Sequence, residues 1–101
     1  MSLQLEVDRE RLGEFCRKHH IDRLSFFGSV TRDDFGPDSD VDVLVEFAPE
    51  HLPGLIALAR MEIELSSLLG GRRADMRTAE DLSHFFRDQV LAEAELQYEA
   101  A

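Results

Sequence analysis

The chain has 101 residues, 44% hydrophobic and 32% charged, which suits a single globular domain over 1–101 with a modest core and leaves no length for a separate substrate domain. With 21 acidic against 11 basic residues the formal net charge is −10, which opposes sequence-independent binding of nucleic acid, and no apolar run is long enough to cross a bilayer. The opening "MSLQLEVDRER" lacks the basic end and apolar middle of a signal peptide, and one cysteine, Cys16, allows no internal disulfide, so a cytoplasmic protein is expected.

Leu12, Phe15, Cys16 and His19 fall at i, i+3, i+4 and i+7, which predicts an amphipathic helix over about 8–19. "RLSFFGS" then reads as a strand stopped by Gly28. "RDDFGPDSD" is turn chemistry, and "VDVLVEF" alternates from Val41 as a second strand, with Val43, Val45 and Phe47 on one face and Asp42, Leu44 and Glu46 on the other.

From Gly54 to Leu69 the spacing is helical, with a polar stripe of only Arg60, Glu64 and Ser67. Ile56, Ala59 and Ile63 form a second apolar flank, to be covered either by the last helix or by a partner or second copy of the chain. The glycines at 70 and 71 stop this helix, and "RRADMR" alternates as a third short strand. "TAEDL" has the form of a capping box, opening a last helix over about 79–98 whose acidic tail, about 93–101, is expected to fray.

Seven carboxylates and no Lys or Arg lie between Asp33 and Glu50. Asp40 and Asp42, two apart, point the same way from an extended chain about 6.6 Å apart. Two such carboxylates repel, and a hard divalent cation with oxygen ligands, magnesium above all, would relieve them. A calcium hand is excluded because its sixth and twelfth positions hold Val43 and Pro49 in place of Gly and Glu. A solvated acidic turn remains the plain reading of Asp-x-Asp alone.

Two further features bear on it. Gly28 permits close backbone approach and Ser29 offers a hydroxyl and an amide, a geometry suited to gripping phosphate. If the third strand pairs with the second, Asp75 reaches the same face as Asp40 and Asp42, since Ala74 and Met76 face the other way. Three carboxylates with one or two metals, opposite a phosphate-gripping turn, form the layout for in-line phosphoryl or nucleotidyl transfer.

These residues resemble the nucleotidyltransferase superfamily that includes DNA polymerase beta, and within it the minimal nucleotidyltransferase (MNT) proteins. The signature matched is a strand, Gly28-Ser29, ten residues from Val30 to Ser39, Asp40-Val41-Asp42 in a strand, and a later Asp75, over about residues 12–90. The chain departs from the family where Asp33 follows Arg32 in place of the usual glycine. The resemblance implies an α/β fold, a small mixed sheet of about three strands with about four helices. It implies that Gly28 and Ser29 hold the β and γ phosphates of ATP, that Asp40 and Asp42 ligate one or two magnesium ions, and that Asp75 completes the metal site or acts as base. Arg32 either contacts phosphate or pairs with Asp33 or Asp34. Arg72, Arg73 and Arg77 flank Asp75 as solvated cations or as triphosphate contacts. His19, His20, His51 and His84 show no ligand spacing.

By the same resemblance the chain is expected to be an antitoxin that transfers AMP from ATP to a hydroxyl, a tyrosine, of a cognate HEPN-domain ribonuclease toxin. The acidic charge and the doubly apolar helix 54–69 suit a binding partner or an oligomer. The alternatives are an antitoxin that neutralises by binding alone, for which the aspartates are dispensable, and an antibiotic-modifying nucleotidyltransferase, which needs a further substrate-binding domain. No extended basic strand path supports a polymerase.

Overall fold

In the computed structural model residues 7–28, 40–78 and 87–100 are described. Helix α1 (Arg9–Lys18) starts at Asp8, whose carboxylate accepts the amides of Glu10 at 3.0 Å and Arg11 at 3.2 Å. Two of the amides that lack a partner inside the helix are thereby satisfied. The face predicted from spacing is the one buried, with Leu12, Phe15 and Cys16 turned inward. His19 closes the helix, its ring edge-on to Phe15 at 4.8 Å between centroids.

His19 also meets Glu64 at 3.1 Å, and the same carboxylate takes Lys18 Nζ at 3.2 Å. Burial works against the Glu64 charge, but hydrogen bonds from His19 and Lys18, with their charges, outweigh it and hold the pKa below its ordinary value. A depressed folded pKa means that the stabilisation is complete above the unfolded value, about 4.5, and is lost as pH falls through the folded one. The pair is 65% and 38% exposed, so Glu64→Gln is expected to cost under about 1 kcal/mol at neutral pH. Thermal melts of the two proteins should converge as pH falls through the folded value, below which the carboxylate is protonated in either state.

Strand β1 (Ile21–Phe27) pairs antiparallel with β2 (Val41–Phe47), and β2 pairs parallel with β3 (Ala74–Arg77). A parallel pair needs a crossover, and α2 (Leu55–Leu68) supplies it. Gly70 and Gly71, at φ 72° and 87°, turn the chain off α2, with the Gly71 amide on the Ser66 carbonyl at 3.0 Å. After α3 (Arg87–Glu93) comes β4 (Glu95–Glu99), antiparallel to β1, and the sheet order is β3-β2-β1-β4.

The mixed α/β fold is as expected, but two details are corrected. The sheet has four strands where about three were predicted, with three α-helices among the described residues. The last helix ends at Glu93 instead of running to 98, and the acidic stretch expected to fray is strand β4. Arg23 holds Glu99 at 2.6 Å, Arg9 reaches the Gln97 carbonyl at 3.3 Å, and Tyr98 packs on the core.

One cluster forms the core: α1 residues, Leu24 and Phe26 of β1, Val41, Val43 and Val45 of β2, Met61 and Leu65 of α2, and Ala74 and Met76 of β3. Both α1 and α2 therefore cover the same face of the sheet. The opposite face of α2 stays open, with Ile56 75% and Ile63 73% exposed. No helix among the described residues is long and apolar enough to cross a membrane.

Candidate active site

Val41, Val43, Ala74 and Met76 are buried under the helices, so the residues between them, Asp42 on β2 and Asp75 on β3, project from the other face of the sheet. They are register partners across the parallel pair. Adjacent strands run about 4.8 Å apart, which sets the two carboxylates side by side. Asp42 is half-buried, and the next residue on its face, Leu44, is buried, so the pair stands at the margin of an apolar surface.

Gly28 follows β1 where Phe27 pairs with Asp42, and it has φ 74°. A Cβ added at Gly28 would run into the Asp42 carboxylate. The glycine therefore serves twice: it turns the chain at an angle that disfavours other residues, and it lets the backbone approach the carboxylate. Asp40 lies just ahead of β2 and is exposed. Ser29 and Arg32, the other two predicted site residues, lie outside the described residues.

Of the three arginines that flank Asp75, Arg77 is shown to reach it. Its Nε and Nη2 donate to Oδ1 and Oδ2 at 3.3 and 3.2 Å, a two-pronged grip that offsets the like charge of Asp42. Two-residue spacing puts both Arg73 and Arg77 on the strand face of Asp75, and the fold shows Arg77 making the contact. Sequence reasoning missed two others. The outer-edge amides of β3 on either side of Asp75 are capped from α2, Met76 by Glu62 Oε2 at 2.8 Å and Ala74 by Ser66 Oγ at 2.9 Å. Those contacts satisfy an otherwise open strand edge and hold β3 in place, and no periodicity in the sequence announces them.

The donors brought together are carboxylate oxygens, the ligand type of a hard divalent cation. Asp42 and Asp75 form a pair, and no group of three or more His, Cys, Asp or Glu side chains is assembled to hold a metal among the described residues. The site fits a cation held by one or two protein carboxylates with the remaining ligands from phosphate and water.

A model of the family described as nucleotidyltransferase domain matches residues 9–96. The chain belongs to this family. A Methanocaldococcus jannaschii protein assigned as a protein adenylyltransferase is 36% identical over 77 residues, 76% of this chain and 80% of that one. Protein adenylyltransferase MntA of Thermococcus cleftensis is 35% identical over 85 residues, 84% of this chain and 76% of that one. A solved minimal nucleotidyltransferase superposes with a TM-score of 0.69 at 38% identity, covering 85% of each chain. Two further solved assemblies share the fold at lower identity. One is a toxin-antitoxin with AMP-PNP (TM-score 0.74, 19% identical, 93% of this chain and 75% of that one). The other is a tri-AMPylated Shewanella oneidensis HEPN toxin with its MNT antitoxin (TM-score 0.65, 18% identical, 91% and 70%).

Gly28 closes β1 and Asp42 sits beside it on β2. Asp75 arrives from the crossover that α2 makes.

Proposed function

We propose that this chain is an antitoxin that neutralises a HEPN-type ribonuclease toxin by transferring AMP from ATP to a tyrosine hydroxyl of the toxin. The observation that carries the reading is the registered Asp42–Asp75 pair beside Gly28, in a chain similar to proteins named as protein adenylyltransferases. The toxin-antitoxin assemblies that share this fold, one with AMP-PNP and one with an AMPylated toxin, support the nucleotide and the partner.

In this mechanism Gly28 and Ser29 receive the β and γ phosphates, and Arg32 offers a cationic contact to them. Asp40 and Asp42 would hold magnesium, with Asp75 beside them. When bound, the ion neutralises charge on the triphosphate and favours departure of pyrophosphate. Asp75, held by Arg77, accepts the proton of the attacking hydroxyl as its oxygen approaches the α phosphorus. The new bond joins tyrosine oxygen to the α phosphorus, the bond from the α phosphorus to the bridging oxygen breaks in line, and pyrophosphate carries away the electron pair.

The test is transfer from α-labelled ATP to proteins of a source-cell lysate under magnesium, with the Asp40→Asn/Asp42→Asn double variant as control. A labelled band seen only with the intact protein supports transfer, and mass spectrometry of that band names the acceptor. Absence of label from a preparation that still silences the toxin would replace transfer by inhibition through binding.

A further inference from the structure

We infer that the outer face of α2 is the interface of a two-fold dimer of this chain, with the two α2 helices packed antiparallel. Leu52, Leu55, Ile56 and Ile63 are 73%, 86%, 75% and 73% exposed. Ile56 and Ile63 stand opposite the inward residues Met61 and Leu65 on the helix, so they point straight away from the core. Together the four present on the order of 500 Å² of apolar surface, the size of the largest patch on a typical monomer. A second copy would double this to about 1,000 Å², the threshold of a specific interface before the flanking residues are counted.

Three observations select a second copy as the occupant. The first is charge. Two chains of net charge −10 repel, so they can meet only where acids are scarce. On the outer face of α2 between Leu55 and Ser67 the charged residue is Arg60. The neighbouring acids on the helix are already engaged within the chain, Glu62 with the Met76 amide and Glu64 with Lys18 and His19.

The second is spacing. Ile56 and Ile63 are seven residues apart, about 10 Å along the helix, and their midpoint falls between Ala59 and Arg60. An antiparallel copy turned about that midpoint sets Ile56 against Ile63 of its mate and Ile63 against Ile56. The same patch thus complements itself, as a two-fold interface requires. Ala59 near the axis lets the helices come close, as small residues do.

The third is position. Helices α1 and α2 lie on one side of the sheet and the Asp42–Asp75 pair on the other, so a dimer joined through α2 leaves both sites open.

The test is the mass of the full chain by light scattering and sedimentation over a range of concentrations. The wild type should weigh twice the 11.5 kDa of the monomer. Ile56→Glu and Ile63→Glu should each raise the dissociation constant about 100-fold or more by placing a charge in an apolar contact, with unchanged circular dichroism. Leu91→Glu, on an exposed apolar residue of α3, should leave the dimer intact. Register is read by mixing Ile56→Cys chains with Ile63→Cys chains, which should cross-link faster than either alone. Cys16 does not compete, since it is fully buried with its thiol pKa pushed up to about 12 by that burial, against a smaller lowering by Arg17. A wild type that stays monomeric, including one that does so while binding another protein, overturns the inference. So does a dimer that survives both glutamate variants, or faster cross-linking of like chains.

Discussion

Asp42→Asn is expected to lower AMP transfer by about 1,000-fold or more while the protein stays folded, a loss of roughly 4 kcal/mol of transition-state stabilisation. The substitution keeps the shape of the side chain and removes its charge. Folding should tolerate it, because Asp42 projects away from the core cluster and sits beside a second carboxylate, Asp75, across the parallel pair. Relief of the repulsion between the two carboxylates offsets part of whatever favourable contact the Asp42 charge makes, so the melting temperature should change little. Chemistry should not tolerate it, because an amide is a poor ligand for a hard cation and puts no negative charge beside the triphosphate. Initial rates with α-labelled ATP at saturating magnesium, read beside a melting curve, separate the two effects. Transfer equal to wild type would remove Asp42 from the site. Loss of transfer with loss of fold would make it a structural residue.

The parts of this site that are local were legible in the sequence, and the parts that depend on distant pairing were legible only conditionally. Gly28 at a strand end and Asp42 inside an alternating strand follow from short-range pattern, and both stand where that pattern puts them. Asp75 was placed beside them on the condition that the second and third predicted strands pair, which a four-residue strand cannot announce by itself. The two-residue spacing makes Arg73 and Arg77 equal candidates to hold Asp75, and the fold shows Arg77 doing so. The support from Glu62 and Ser66 has no such signal, because it exists only once α2 has been laid along the free edge of β3.

Strand β4 shows the same division. "AEAELQYE" is rich in Ala, Glu, Leu and Gln, all strong helix formers, and a helix was the natural reading. What decides the conformation is the open edge of β1, which Leu96, Tyr98 and Glu99 pair with, and the contact from Glu99 to Arg23, 76 residues earlier. Tertiary pairing overrides a preference worth a few tenths of a kcal/mol per residue.

Gly28→Ala is expected to cost both stability and transfer, by two different physical effects. Its backbone φ of 74° lies in the left-handed region, where a Cβ costs about 1–2 kcal/mol. The added methyl also meets the Asp42 carboxylate, although it lies 3.5 Å from the Asp42 Cβ, an ordinary contact. The colliding group is thus the movable end of a side chain, and the carboxylate can rotate away at little cost to the fold. Rotation takes it out of line with Asp75, and a displacement of about 1 Å at a reacting centre is enough for a 100-fold loss of rate. The variant should therefore lose the backbone's about 1–2 kcal/mol of stability plus a smaller cost for turning the carboxylate aside, and at least about 100-fold in transfer. Combining it with Asp42→Ala removes the collision, so in that background the stability cost of the Gly28 change should shrink to the backbone contribution alone. Denaturant titrations of the four proteins in this cycle measure the coupling. A full additive cost in the double variant would show that the Gly28 change acts entirely through its backbone, and that the carboxylate was never its neighbour in energy.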